Sequence, residues 1–135
     1  MQSQYWSLEL MPGLPAREQK LFQAQGIQTT GDLLQRTVTL KAKIELSHKL
    51  RLSQKQIDKW IALADLGRIP SVGSQYSGLL LHAGVISVAQ LAETSFPQLH
   101  LQVSRLQIAT SRRKDLIPPV ALVKQWVEQA KMLVP

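Results

Sequence analysis

The chain has no cysteine in its 135 residues. That excludes disulfides and thiolate metal sites and agrees with a reducing compartment. Aromatic residues make up only 5% of the total, so the interior has to be filled with Leu, Ile, Val and Ala, which suits packed helices better than a sheet sandwich. Neither Asn-Gly nor Asp-Gly occurs, which removes the strongest short-range sign of a β-hairpin. No apolar run approaches the roughly 18 residues a membrane span needs. The opening Met1-Gln2-Ser3-Gln4-Tyr5-Trp6-Ser7 has neither the basic nor the apolar region of a secretion signal. A soluble cytoplasmic protein is expected.

Reactive constellations are equally scarce. His48, His82 and His100 stand 34 and 18 residues apart with no helical pairing, and the neighbouring acids form neither an HExxH nor an EF-hand pattern. There is no Walker A loop, nucleophile elbow or CxxC pair, and no two acids share a helix face in the manner of acid–base work. The expectation is a non-catalytic protein without metal or cofactor.

What the chain does contain is a copy of itself. A 58-residue shift lays Gly84-Val85-Ile86-Ser87-Val88-Ala89-Gln90-Leu91 over Gly26-Ile27-Gln28-Thr29-Thr30-Gly31-Asp32-Leu33, Ser71-Val72-Gly73 over Gly13-Leu14-Pro15, and Leu79-Leu80 over Leu21-Phe22. Further on, Trp126-Val127-Glu128-Gln129-Ala130 matches Trp60-Ile61-Ala62-Leu63-Ala64 at a shift of 66. An eight-residue insertion between residues 111 and 119 reconciles the two shifts. Two units are expected, residues 1–66 and 67–135, packed as one compact all-α body.

Punctuation places the helices. Pro12-Gly13 ends a short helix over 7–10 and Pro15 opens the next at its first turn, which Gly26 closes as a left-handed cap. Thr29 or Thr30 caps a short helix carrying Leu33 and Leu34. Residues 40–52 alternate leucines and lysines as a basic amphipathic helix. Ser53 caps a helix over 54–66, where Ile57, Trp60, Ile61, Ala64 and Leu66 form the apolar stripe and Gly67 the stop. In the second copy, helices are expected over 76–83 and 88–92, ended by Pro97. Residues 99–109 read as helix or mixed structure and 111–115 as an exposed basic loop. Pro118-Pro119 opens a last helix that buries Val120, Val123, Trp126, Val127, Ala130 and Leu133. Both tryptophans sit inside apolar stripes and read as core pegs.

Charge is concentrated. Sixteen Lys/Arg face nine Asp/Glu, a net charge of +7. Residues 36–59 carry seven cations against two acids and residues 105–114 carry four against none. The two basic segments occupy comparable places in the two copies. Such surfaces meet nucleic acid, an anionic membrane or an acidic protein, or serve as solvated faces that keep a protein soluble.

A short helix, a tight glycine turn, a second helix ending in Gly-hydrophobic and then Thr-x-x-Leu-Leu resembles the helix-hairpin-helix unit, a SAM-like arrangement. In that family a Gly-hydrophobic-Gly turn holds a DNA phosphate on backbone amides at a helix N-terminus. The whole chain is similar to a family of tandem helix-hairpin-helix proteins of unknown function common in cyanobacteria. The residues carrying the match include Met11-Pro12-Gly13-Leu14, Gly26-Ile27-Gln28-Thr29-Thr30, Trp60, Tyr76, Ala83-Gly84-Val85 and Trp126. Its most specific stretch is Ala64-Asp65-Leu66-Gly67-Arg68-Ile69-Pro70-Ser71-Val72-Gly73. Two departures from the DNA-binding pattern stand out. The first turn has Pro15 at the second glycine and so lacks one amide donor. The second turn has Ser71 at the first glycine.

The function expected first is sequence-independent nucleic-acid binding, with DNA the favoured partner. The candidate contacts are Lys41, Lys43, Lys49, Arg51, Lys55 and Lys59 on one segment and Arg105, Arg112, Arg113 and Lys114 on the other. The hairpin turns add Gly13, Arg17, Lys20, Ser71, Gly73 and Ser74. If about six cations touch phosphate, log K falls against log salt with a slope near −5. The alternative is a protein–protein adaptor or assembly factor whose basic segments dock an acidic surface of a larger complex, photosynthetic complexes included.

Overall fold

The structure, a computed structural model, describes residues 2–135; Met1, the first residue of the expected first unit, lies outside them. The described residues form eight α-helices: α1 (Ala16–Ala24), α2 (Thr30–Arg36), α3 (Leu40–Leu50), α4 (Gln54–Gly67), α5 (Gly73–His82), α6 (Val88–Ala92), α7 (Phe96–Ser111) and α8 (Val120–Leu133). Single 3₁₀ turns occupy Leu8–Leu10 and Lys114–Leu116. No strand forms among the described residues beyond one antiparallel bridge between Ser7 and Thr29.

Local chemistry sets the helix ends. The Thr29 hydroxyl accepts from the Asp32 amide, and the Asp32 carboxylate accepts from the Thr29 and Gln28 amides at 3.1 and 3.0 Å. This capping box satisfies amides that the first turn of α2 would leave unpaired. Fifty-eight residues on, the Ser87 hydroxyl accepts from the Gln90 amide while the Gln90 side chain accepts from the Ile86 amide. A second capping box, Ser53 with Gln56, starts α4. Gly26 and Gly84, just past α1 and α5, both lie at positive φ, 79° and 95°, where a Cβ would be strained.

Helix order recurs as well. By the 58-residue register α1, α2 and α3 fall on α5, α6 and α7, and a 66-residue shift carries the bounds of α4 onto those of α8. The insertion has two parts. α7 runs three residues further than α3 in register, and its connection to α8 has eight residues where α3 and α4 are joined by three.

Buried apolar side chains fall into two clusters. One is built on Leu8, Phe22, Ile27, Leu33, Leu46, Ile57, Trp60 and Leu63. The other is built on Leu66, Ile69, Leu80, Val88, Leu91, Leu99, Val123, Trp126 and Val127. The division falls inside the last turn of α4, a helix long enough to supply both, and Leu81 packs against each. The N-terminal segment ties the two together. The Trp6 backbone makes two hydrogen bonds with Thr30, its amide donating to the Thr30 hydroxyl at 2.9 Å and its carbonyl accepting from the Thr30 amide at 2.8 Å. Its indole donates to the Gly67 carbonyl at 2.8 Å. Gln4 donates to the Arg68 carbonyl, and the Arg68 guanidinium donates to the Ser3 hydroxyl.

Several helix limits differ from the sequence expectation. Pro97 does not end α6's segment; it sits in the first turn of α7, where proline needs no donor. Pro15 stands one residue before α1 as its N-cap. Residues 96–111 form a single helix, longer than expected. α5 starts at Gly73, three residues earlier than expected. Val120 is exposed, because α8 turns that face outward, whereas Val123, Trp126, Val127 and Ala130 are buried.

Candidate nucleic-acid interface

The two glycine turns are built differently. In turn one, Gly13 carries the positive φ, 74°, and a Cβ placed there would meet nothing within 4 Å. Gly13, Arg17 and Lys20 are all exposed, and the Pro15 N-cap makes no side-chain hydrogen bond to the first turn of α1. Behind the turn lies a small depression of about 170 Å³ lined by Pro12, Gly13, Lys59, Leu63, Gly78, Leu81 and His82. The buried residue of that first turn is Glu18, whose carboxylate accepts from the Trp60 indole at 3.3 Å.

Turn two is closed by the protein itself. The Gln129 side chain of α8 accepts from both the amide and the hydroxyl of Ser71, at 3.0 and 2.6 Å. The Val72 and Gly73 amides both donate to the Ile69 carbonyl. The Trp126 indole donates to the Ser71 carbonyl at 3.1 Å. Gly73 has the positive φ here, 52°, and a Cβ on it would come within 3.3 Å of the Trp6 ring. Ser74 follows half-buried in α5. All three amides that would cradle a phosphate are thus engaged internally.

The left-handed glycine also sits in different places. In the 58-residue register Gly13 corresponds to Ser71 and Gly73 to Pro15. The shared glycine signature therefore produces two turns of different shape.

The fold distributes the ten candidate cations over separate surfaces. Lys43, Lys55 and Lys59 converge on a groove of about 660 Å³, whose floor is made by Leu34 of α2, Ile61 and Ala62 of α4, Leu81 of α5 and Ile86 of the following loop. Lys43 is paired with Asp58 at 2.8 Å, and Lys59 lies over the Trp60 ring, 4.8 Å from its centroid. Lys49 faces elsewhere, beside Arg36 and Glu45. Lys41 is exposed on α3 and Arg105 on α7; Arg112, Arg113 and Lys114 are exposed at and beyond the end of α7. Arg113 is paired with Asp115, and this contact holds the Asp115 carboxyl below its ordinary value. Among the described residues, the other eight of the ten have no carboxylate partner within 4 Å.

Two of these cations occupy unusual positions at the ends of corresponding helices, Arg112 lying three residues beyond the place of Arg51 in the 58-residue register. Arg51 ends α3 and Arg112 ends α7, at φ values of 54° and 55°. Among the described residues they are the only non-glycine residues at positive φ. At Arg51 the cap is a Schellman motif, its amide donating to the His48 carbonyl and the Leu52 amide to the Ser47 carbonyl. Glycine is the residue usually found there, since a Cβ in this conformation costs about 1 kcal/mol. Both halves carry an exposed arginine instead.

Among the described residues no three His, Asp or Glu side chains come together as a metal-ligating group, and no helix is long and apolar enough to cross a membrane. A family model, a domain of unknown function designated DUF4332, matches residues 12–133. The chain belongs to that family. No curated protein and no solved structure matches the chain. The DUF4332 match begins at turn one and ends in the last turn of α8.

Within this DUF4332 fold, sequence reasoning missed the residues that decide how the turns are used. Gln129 corresponds to Leu63 at the 66-residue shift and Glu18 to Tyr76 at the 58-residue shift. Those mismatches in register were the available signal. Asp65 was missed too, although it pairs with Arg68 at 2.9 Å and accepts from the Val88 amide at 2.8 Å, fastening α4 to the start of α6. Nothing local to Asp65 announces a partner 23 residues away.

Proposed function

We propose that the protein is an intracellular, non-catalytic binding module, composed of two helix-hairpin-helix units over residues 1–66 and 67–135, that holds nucleic acid through its backbone without reading its sequence. The recurrence of helix order, capping boxes and left-handed glycines supports the two-unit reading. The observation that carries the function is the pair of arginine caps. Arg51 and Arg112 are exposed cations held at matching helix ends in a conformation that favours glycine. A protein that keeps a charge at a conformational cost in both copies of a repeat suits a ligand whose charge also repeats, and a phosphate backbone is such a ligand.

In this reading the phosphates meet side chains rather than a turn of amides. Lys41, Lys49 and Arg51 act from the first unit and Arg105, Arg112, Arg113 and Lys114 from the second; in turn one, Gly13 lies beside Arg17 and Lys20. Contacts of this class position a duplex but leave its bases unread.

The test is fluorescence anisotropy of labelled duplex DNA, single-stranded DNA and RNA across about 50 to 200 mM salt, with Arg51→Gly and Arg112→Gly beside the native chain. Each substitution removes one phosphate contact and is expected to lower the magnitude of the salt slope by about 1. Each should also raise stability by about 0.5–1 kcal/mol, because the left-handed strain is relieved. Binding no tighter than that of an unrelated protein of equal charge, or slopes unchanged in both variants, would overturn the reading.

A further inference from the structure

The groove between the two halves asks for a different ligand. Its floor is apolar and drawn from four segments, with Leu34, Ile61, Leu81 and the 60% exposed Ile86 facing it, while Lys55 and Lys59 stand along its rim. Phosphate backbones gain nothing from such a floor. The acids nearby are already satisfied: Asp58 is paired with Lys43, and Asp65 with Arg68 and the Val88 amide. The rim therefore presents unneutralised positive charge beside uncovered aliphatic surface.

We propose that this groove receives an acidic amphipathic helix of a partner protein, about three turns long. Length follows from α4. The groove is lined by α4 from Lys55 to Asp65, and ten residues at 1.5 Å rise give about 15 Å, the length of a ten-residue helix laid alongside. Pattern follows from spacing. Lys55 and Lys59 are four residues apart on one helix face, so carboxylates at i and i+4 of the partner meet them in register. Apolar residues at i, i+3 or i+4, and i+7 of the partner's other stripe enter between Leu34, Ile61, Leu81 and Ile86, the mode in which a helix is read by a groove. Lys43 stays with Asp58 and fixes the groove wall where α3 meets α4.

This inference is independent of nucleic-acid binding, and its test separates the two. A phage-displayed library of three-turn helices is selected on the full-length protein, and enriched peptides are synthesised and titrated by fluorescence anisotropy. Enrichment of sequences with apolar residues at i, i+3 or i+4, and i+7 and acids four residues apart is expected. Their affinity should fall at least about tenfold for Ile86→Glu and for Lys55→Glu with Lys59→Glu. The same peptides should bind Arg51→Gly and Arg112→Gly as they bind the native chain. These groove positions are exposed, so unchanged thermal melts are expected, and amide shift mapping with a bound peptide should centre on α4, Leu81 and Ile86. No enrichment, enriched peptides that bind Ile86→Glu undiminished, acidic sequences without apolar spacing, or shifts centred away from α4 would each overturn the proposal. Displacement of the peptide by duplex DNA together with indifference to Ile86→Glu would assign the lysines to nucleic acid instead.

Discussion

The two halves share a helix order and differ in how each closes its glycine turn. In the first, Trp60 donates to a buried carboxylate, Glu18, and the residues of α4 lining the space behind the turn are Lys59 and Leu63. In the second, Tyr76 takes the place of Glu18 and lies against Trp126 with ring centroids 5.1 Å apart. Trp126 donates to the turn itself, and Gln129 takes the place of Leu63 and occupies the Ser71 donors. One copy leaves its turn facing solvent and the other folds its turn into the core. The difference teaches that helices in the same order can close their turns differently through two positions: Tyr76 stands where Glu18 does, and Gln129, in place of Leu63, hydrogen-bonds the turn.

The largest effect that would sharpen this contrast comes from the tryptophans. Trp60→Phe leaves Glu18 as a buried carboxylate without its donor, and a loss of about 2–3 kcal/mol is expected. Trp126→Phe leaves only a neutral carbonyl short of a partner, for about 1–2 kcal/mol. Urea unfolding of both variants measures the difference, and equal losses would break the comparison. Because the Trp6 indole bridges to Gly67 and the two cores share α4, both variants should unfold in one transition.

Gln129→Leu gives the second half the first half's residue. It frees the amide and hydroxyl of Ser71, which is partly exposed so that water replaces the lost acceptor, and a cost of about 1 kcal/mol is expected. If the turns differ only through this side chain, amide exchange at Ser71 in the variant will rise towards that of Gly13; exchange unchanged from the native chain would show that backbone shape alone closes turn two.

The smallest effect is in acid. The Gln28 amide, followed by the Thr29 amide and hydroxyl, holds the Asp32 carboxyl below its ordinary value. A depressed carboxyl contributes stability that is present above its unfolded value, about 3.9, and is lost as pH falls through its lower folded value. Gln90, which stands in the same place in the second half, is uncharged. Amide exchange followed from about pH 6 to pH 2 should therefore show Gln28 and Thr29 losing protection while Ile86 keeps it, and Asp32→Asn should abolish the difference.

The sequence by itself determined the helical class and most element limits. Each of these rests on short-range chemistry: Thr29 and Ser53 cap because their hydroxyls reach amides three residues on, and Gly26 and Gly84 end helices because only glycine accepts that φ without strain. It also marked Trp60 and Trp126 as buried, since an apolar stripe at helical spacing has one side to pack. Pro97 and Val120 escaped it, because a proline fits either side of a helix start and a stripe's edge is set by what packs there. Only the tertiary structure decided which cations stand together, that Gln129 fills turn two, and that Lys55 and Lys59 border an apolar groove. Those outcomes depend on contacts between residues tens of positions apart, whose geometry is fixed when the two cores close on α4 and not by any spacing along the chain.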